Sequence, residues 1–139
     1  MKPFRRALVT LGVVAVVLVG LPAVARASEG LHIEAVSTYE VVPDEARVFV
    51  TVAVVAKNET PSTTRGNIRT RYFYEGFYIP IPLEAENVLA LDQGRETQIS
   101  FEDSEDGSFQ VALVGFRANL FYNRSRSVTV TYEIPGGEP

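Results

Sequence analysis

Five aromatic residues fall within seven positions: Tyr72, Phe73, Tyr74, Phe77 and Tyr78. On an exposed sheet face such rings stack on sugars or pack against a partner. On a strand Tyr72 and Tyr74 share one face and Phe73 takes the other, so one set is expected to face the core. With Tyr122 further along the chain, the candidate ligand-binding set is Tyr72, Tyr74, Phe77, Tyr78 and Tyr122. A second cluster is acidic. The run Glu102-Asp103-Ser104-Glu105-Asp106-Gly107 offers Glu102, Asp103, Glu105 and Asp106 as oxygen ligands for Ca²⁺. Its order is not that of an EF-hand loop, and acidic turns between strands are ordinarily solvated, so a hairpin tip is the plainer reading.

The rest of the composition excludes chemistry. The chain has no Cys and one His. A thiol nucleophile, a thiolate zinc site and a lipid-anchoring cysteine are therefore absent, and so is a paired-His metal helix. A Ser-His-Asp site would need His32, which is out of phase with Leu31 and Ile33 and is expected to face solvent. Arg65, Arg69, Arg71, Arg124 and Arg126 are expected to pair with Glu across strands rather than to bind an anion. Asn58-Glu59-Thr60 and Asn123-Arg124-Ser125 match the glycosylation sequon. Asn58 reads better as a strand-end cap whose side chain turns back to the backbone. No cofactor is implied, and no catalytic function is expected.

Of the 139 residues, the first 27 read as an address. Lys2, Arg5 and Arg6 precede an uncharged apolar run from Ala7, and Ala25-Arg26-Ala27 is an A-x-A signature before Ser28. That order is a secretory signal peptide, an apolar helix cleaved between Ala27 and Ser28. An uncleaved anchor is the alternative, because the run approaches bilayer-spanning length. Arg5-Arg6 also fits twin-arginine export, although so apolar a run favours the general secretory route. The segment holds four basic residues and no acid, so its removal takes the formal net charge from −4 to −8. Such a surface repels nucleic acid and anionic lipid. Membrane contact is expected only through the N-terminal segment, if uncleaved. The expected division is a signal over 1–27, a domain over 28–135 and a tail or linker over 136–139.

The mature chain has a period of two. Along Arg47 to Ala56, Val48, Val50, Val52 and Val54 point one way and Phe49, Thr51, Ala53 and Val55 the other, as in a central strand. Leu31, Ile33 and Ala35 alternate before it, and Pro43-Asp44-Glu45-Ala46 reads as the turn of an antiparallel hairpin. Asn58 to Asn67 is expected to be a polar loop. Strands follow over Arg69 to Tyr74, Asn87 to Leu91, Glu96 to Phe101, Phe109 to Phe116 and Ser127 to Ile134. Ile79-Pro80-Ile81-Pro82 is extended but excluded from a sheet interior, because proline donates no ladder hydrogen bond. About seven short strands punctuated by turns predict an all-β antiparallel β-sandwich, with a closed barrel as the alternative.

Tyr39-x-Val41-x-Pro43, Val48-x-Val50-x-Val52, Asn58-x-Thr60-Pro61, Ile79-Pro80-Ile81-Pro82 and Val128-Thr129-Val130-Thr131-Tyr132-Glu133-Ile134-Pro135 together form a pattern. Over residues 31–135 it resembles the N-terminal β-sandwich modules of large exported bacterial proteins. Among these are the non-catalytic N-terminal domains of gluzincin aminopeptidase-like proteins. The resemblance implies an Ig-like sandwich and an accessory or interaction module in a bacterial cell-envelope or secreted protein. It transfers no catalytic residue, since the chain has no H-E-x-x-H helix. The partner would be a protein or a cell-envelope glycan. A glycan-binding module and an N-terminal fragment of a larger peptidase-like protein are the competing expectations; Pro135-Gly136-Gly137-Glu138-Pro139 reads as a linker.

Overall fold

The computed structural model describes residues 13–16 and 30–136. Strand β1 (Val13–Val16) pairs antiparallel with β2 (Leu31–Val42). The rest of the expected signal helix, its cleavage point at Ala27 and Ser28 and most of the expected tail lie outside the described residues.

β2 and β3 (Arg47–Asn58) form the expected hairpin in unbroken register from Leu31↔Asn58 to Val42↔Arg47. Pro43 opens a single 3-10 turn, and Ala46 closes it at φ 50°. β3 is central, with β2 on one side and β11 (Ser125–Pro135) on the other. Its period-two pattern has a direct packing consequence. Val50, Val52, Val54 and Ala56 are buried, while Thr51, Ala53 and Val55 face outward and are exposed. In register with them, β11 buries Val128, Val130 and Tyr132. Burial of one such valine stabilises the fold by about 1.5–3 kcal/mol.

β11 also pairs with β7 (Glu86–Asp92), which turns through Gln93 and Gly94 into β8 (Arg95–Glu96). Both turn residues have positive φ, 49° and 82°, the geometry that tight hairpins require. This completes a six-stranded sheet in the order β1-β2-β3-β11-β7-β8.

The second sheet has the order β6-β10-β9, from β6 (Phe73–Ile81), β10 (Gln110–Phe121) and β9 (Ile99–Asp103). It supplies Phe77, Ile79, Ile81, Ala112, Val114 and Leu120 to the same buried cluster as the large sheet's valines, so one core lies between two antiparallel layers. Pro80 sits within β6, which is an edge strand as proline demands. Gly76 permits close approach there: a Cβ would collide with the Val114 carbonyl.

Several boundaries differ from expectation. The polar loop after Asn58 contains a small separate hairpin, β4 (Thr63–Arg65) with β5 (Ile68–Thr70), turning at Gly66. The expected strand Arg69 to Tyr74 is broken at Arg71 and Tyr72. The expected strand Phe109 to Phe116 runs instead as β10 from Gln110 to Phe121, with Ala112 and Val114 buried. Eleven strands are present among the described residues, against about seven expected.

Candidate functional site

The aromatic run divides between core and surface. Phe77 is buried and packs on Phe116, with ring centroids 5.7 Å apart. Tyr74 is half-buried, and its hydroxyl lies 3.1 Å from Thr60 Oγ1. Tyr72, Tyr78 and Tyr122 are exposed, at 43%, 40% and 50%. The expected set of five is therefore not one surface. Tyr78 lies on the outer face of the small sheet, beside Leu113 of β10. It lies six positions from Tyr72, up to about 20 Å along an extended chain.

A different group comes together at the end of β6 and β10. Phe73 pairs with Phe121 across the ladder, and their rings sit 5.6 Å apart at 58°. The Arg71 guanidinium lies 4.3 Å from the centre of the Phe121 ring, a cation–π contact. Phe73 remains 45% exposed. Tyr72 and Tyr122 adjoin this pair in sequence. Tyr72, Phe73 and Tyr122 are each exposed at this end of the small sheet, and Arg71 rests on the Phe121 ring. Sequence reading missed Phe73 and Arg71 as members, because it assumed a continuous strand through Tyr72.

Asn58 positions this patch. Its side chain is fully buried and has three partners. Its Nδ2 donates to the carbonyls of Leu120 (2.9 Å) and Tyr72 (3.1 Å), the residues immediately before Phe121 and Phe73. Its Oδ1 accepts from the Thr60 amide at 2.8 Å, the turned-back cap the sequence suggested. The Asn58 carbonyl accepts from Asn123 N at 2.7 Å, which fixes the turn after Tyr122. One asparagine thus joins the ends of three strands and sets where both rings emerge. Its burial also closes the first sequon in the folded chain.

The acidic run does not converge. Glu102 and Asp103 are successive residues on β9 and point to opposite faces, whereas Glu105 and Asp106 lie in the following turn. Among the described residues, no group of three or more His, Asp or Glu side chains is arranged to hold a metal ion. Asp106 is committed within the turn. Its Oδ1 accepts from Ser108 Oγ (2.7 Å), Ser104 Oγ (2.9 Å) and the Ser108 amide (3.0 Å). Led by the Ser108 hydroxyl, these bonds favour the carboxylate and lower its pKa to about 2.

β10 departs from register between Gly115 and Leu120, opposite only Gly76 to Tyr74 of β6. The extra residues open a groove of about 970 Å³ lined by Glu75, Glu96, Gln98, Phe116, Arg117 and Asn119, among others. Asp92 anchors this bulge. Its Oδ2 accepts from the Arg117 amide and Arg126 Nε, both at 2.6 Å, while its buried Oδ1 has no hydrogen-bond partner. Arg126 thus pairs with an Asp rather than the expected Glu, and Arg71 with a ring. Arg47 joins Glu86 and Glu133 at 3.1 and 3.2 Å, bracing the far end of the sheet. His32 is exposed, 3.3 Å from Glu34.

Comparison with protein-family models and with curated proteins gave no match for the chain.

Proposed function

We propose that the chain is an exported, non-catalytic Ig-like β-sandwich module that acts by binding a protein partner outside the cytoplasm. The observation that carries the reading is the end of β6 and β10: Phe73, 45% exposed, packs on Phe121, Arg71 stacks on the same Phe121 ring, and the flanking Tyr72 and Tyr122 are exposed. Tyrosine and arginine dominate the energetic centres of protein interfaces, because each offers large contact area with few rotatable bonds per hydrogen bond formed. Here part of the cost of ordering this end of the sheet is already met. Asn58 holds the backbone before each ring, and Phe121 holds the guanidinium. A partner therefore meets a surface that needs little rearrangement. The acidic balance of the mature chain as a whole favours the approach of a partner with net basic character.

Glycan stacking has less support. It called for a row of Tyr72, Tyr74, Tyr78 and Tyr122, but Tyr74 turns inward to Thr60 and Tyr78 stands apart. The test is quantitative capture from a cell-envelope extract by the exported chain and by its Phe73→Ser and Tyr122→Ser variants. The reading expects a defined protein retained by the parent and lost, at least about tenfold, from both variants. Equal capture by all three, or retention of polysaccharide alone, contradicts it.

A further inference from the structure

Strand edges invite pairing with other chains, and three of the edges here are guarded. β8 ends the large sheet with only Arg95 and Glu96. β6 carries Pro80 at one edge of the small sheet, and β9 ends in Glu102 and Asp103 at the other. Short, charged and proline-bearing strands are the usual protection. β2 is built differently. Its 12 residues include no proline, lysine or arginine, and its two acids, Glu34 and Glu40, are both exposed on the face away from the core. Its register with β3 is unbroken, and the residues on its core side, Leu31, Ile33, Ala35, Ser37, Tyr39 and Val41, carry no charge. In the structure this edge is covered in part by β1, which pairs with Ser37–Glu40. β1 belongs to the segment read as the export signal. Cleavage after Ala27 removes the cover and leaves a long open edge.

We propose that, after signal removal, β2 pairs antiparallel with β2 of a second copy, joining the two large sheets across a two-fold axis. The inference rests on the exported reading above. Charge selects the register. Centred on Val36, His32 of each copy opposes Glu40 of the other, Glu34 opposes Thr38, and no two carboxylates meet. Centred one residue later, on Ser37, Glu34 of each copy faces Glu40 of the other. The Val36 register also sets Ile33 against Tyr39, Ala35 against Ser37 and Leu31 against Val41. Val36 and Val41, 42% and 44% exposed, thereby gain apolar neighbours. Every contact off the axis occurs twice, and Val36 meets its own copy on it, as two-fold pairing requires.

The full chain, expressed with its own N-terminal segment in a bacterium and recovered outside the cytoplasm, tests this. Intact mass reports whether residues 1–27 are gone, and light scattering after gel filtration reports the assembly. The expected result is a chain starting at Ser28 that runs at twice its own mass at roughly 100 µM. Val36→Lys sets like charges on the axis, and His32→Glu sets an acid against Glu40. Both side chains are exposed. Each variant should weaken association at least about tenfold while circular dichroism stays at the parent's values and melting in dilute, monomeric solution is unchanged. A cleaved chain that remains monomeric to roughly 1 mM refutes the pairing and leaves export standing. A chain that keeps residues 1–27 refutes the export premise. A dimer unaffected by either variant places the interface elsewhere and overturns the proposal.

Discussion

Replacing Asn58 by alanine tests whether one buried amide holds the patch in place. The change removes three hydrogen bonds of 2.8, 2.9 and 3.1 Å from a side chain with no solvent exposure. It strands the carbonyl of Leu120, itself 2% exposed, in a dry environment. A buried unsatisfied group costs about 1–3 kcal/mol. The Tyr72 carbonyl and Thr60 amide lie in less buried residues, where water replaces part of what is lost. The sum is about 3 kcal/mol, a large share of the 5–15 kcal/mol that typically holds a domain together. Urea titration followed by circular dichroism should show a lower midpoint with an unchanged slope. Asn58→Asp separates hydrogen bonding from packing. It keeps the acceptor for Thr60 but points a second oxygen at two carbonyls, so at neutral pH it should destabilise more than alanine. A loss under about 1 kcal/mol for alanine, or an aspartate variant as stable as the parent, would refute the reasoning.

Val52→Asp, at a position 4% exposed in the middle of β3, should unfold the domain, because a buried unpaired charge is too costly to retain; a native-like melting curve would contradict the core assignment. Asp92→Ala should cost about 3 kcal/mol in urea unfolding, since it leaves the Arg117 amide and the mostly buried Arg126 without their acceptor. Burial first, and then the neighbouring Tyr39, raises the Tyr132 phenol to about 12. Its neutral form therefore stabilises the fold fully below the ordinary tyrosine value of 10, and that contribution fades as pH rises from 10 to 12. Ultraviolet titration should show one phenol ionising last, and Tyr132→Phe should abolish that step. Asp106 behaves in the opposite sense: its depressed pKa gives a contribution present above about pH 3.8 and lost as pH falls through about 2. Carboxyl NMR should place its midpoint near 2, and Ser108→Ala should raise it.

The valine alternation of β3 and β11 was legible because a half-buried strand repeats every two residues and both partners obey the same rule. The β2–β3 hairpin was legible for a local reason: Pro43 and its neighbours specify a turn regardless of what surrounds them. Neither signal reaches the aromatic patch. Tyr72 lies at a break in the strand, so its phase relative to Tyr74 does not follow from period two. Phe73 meets Phe121 only because β10 slips register between Gly115 and Leu120, a property of long-range pairing. The local half of the Asn58 role, its bond to Thr60, could be read from the sequence. The other half joins carbonyls 14 and 62 residues away. Asp92 stands beside a turn, and its buried carboxylate is paired with Arg126, 34 positions later.

The proposed role is tested most directly by titrating the isotopically labelled chain over residues 28–139 with any protein that the capture experiment yields and following backbone NMR signals. Losses of intensity concentrated at Arg71, Tyr72, Phe73, Phe121 and Tyr122, with the outer face of the large sheet unaffected, are what a recognition surface at the end of β6 and β10 requires. Changes centred on the groove beside Arg117, or no localised change at all, would contradict it.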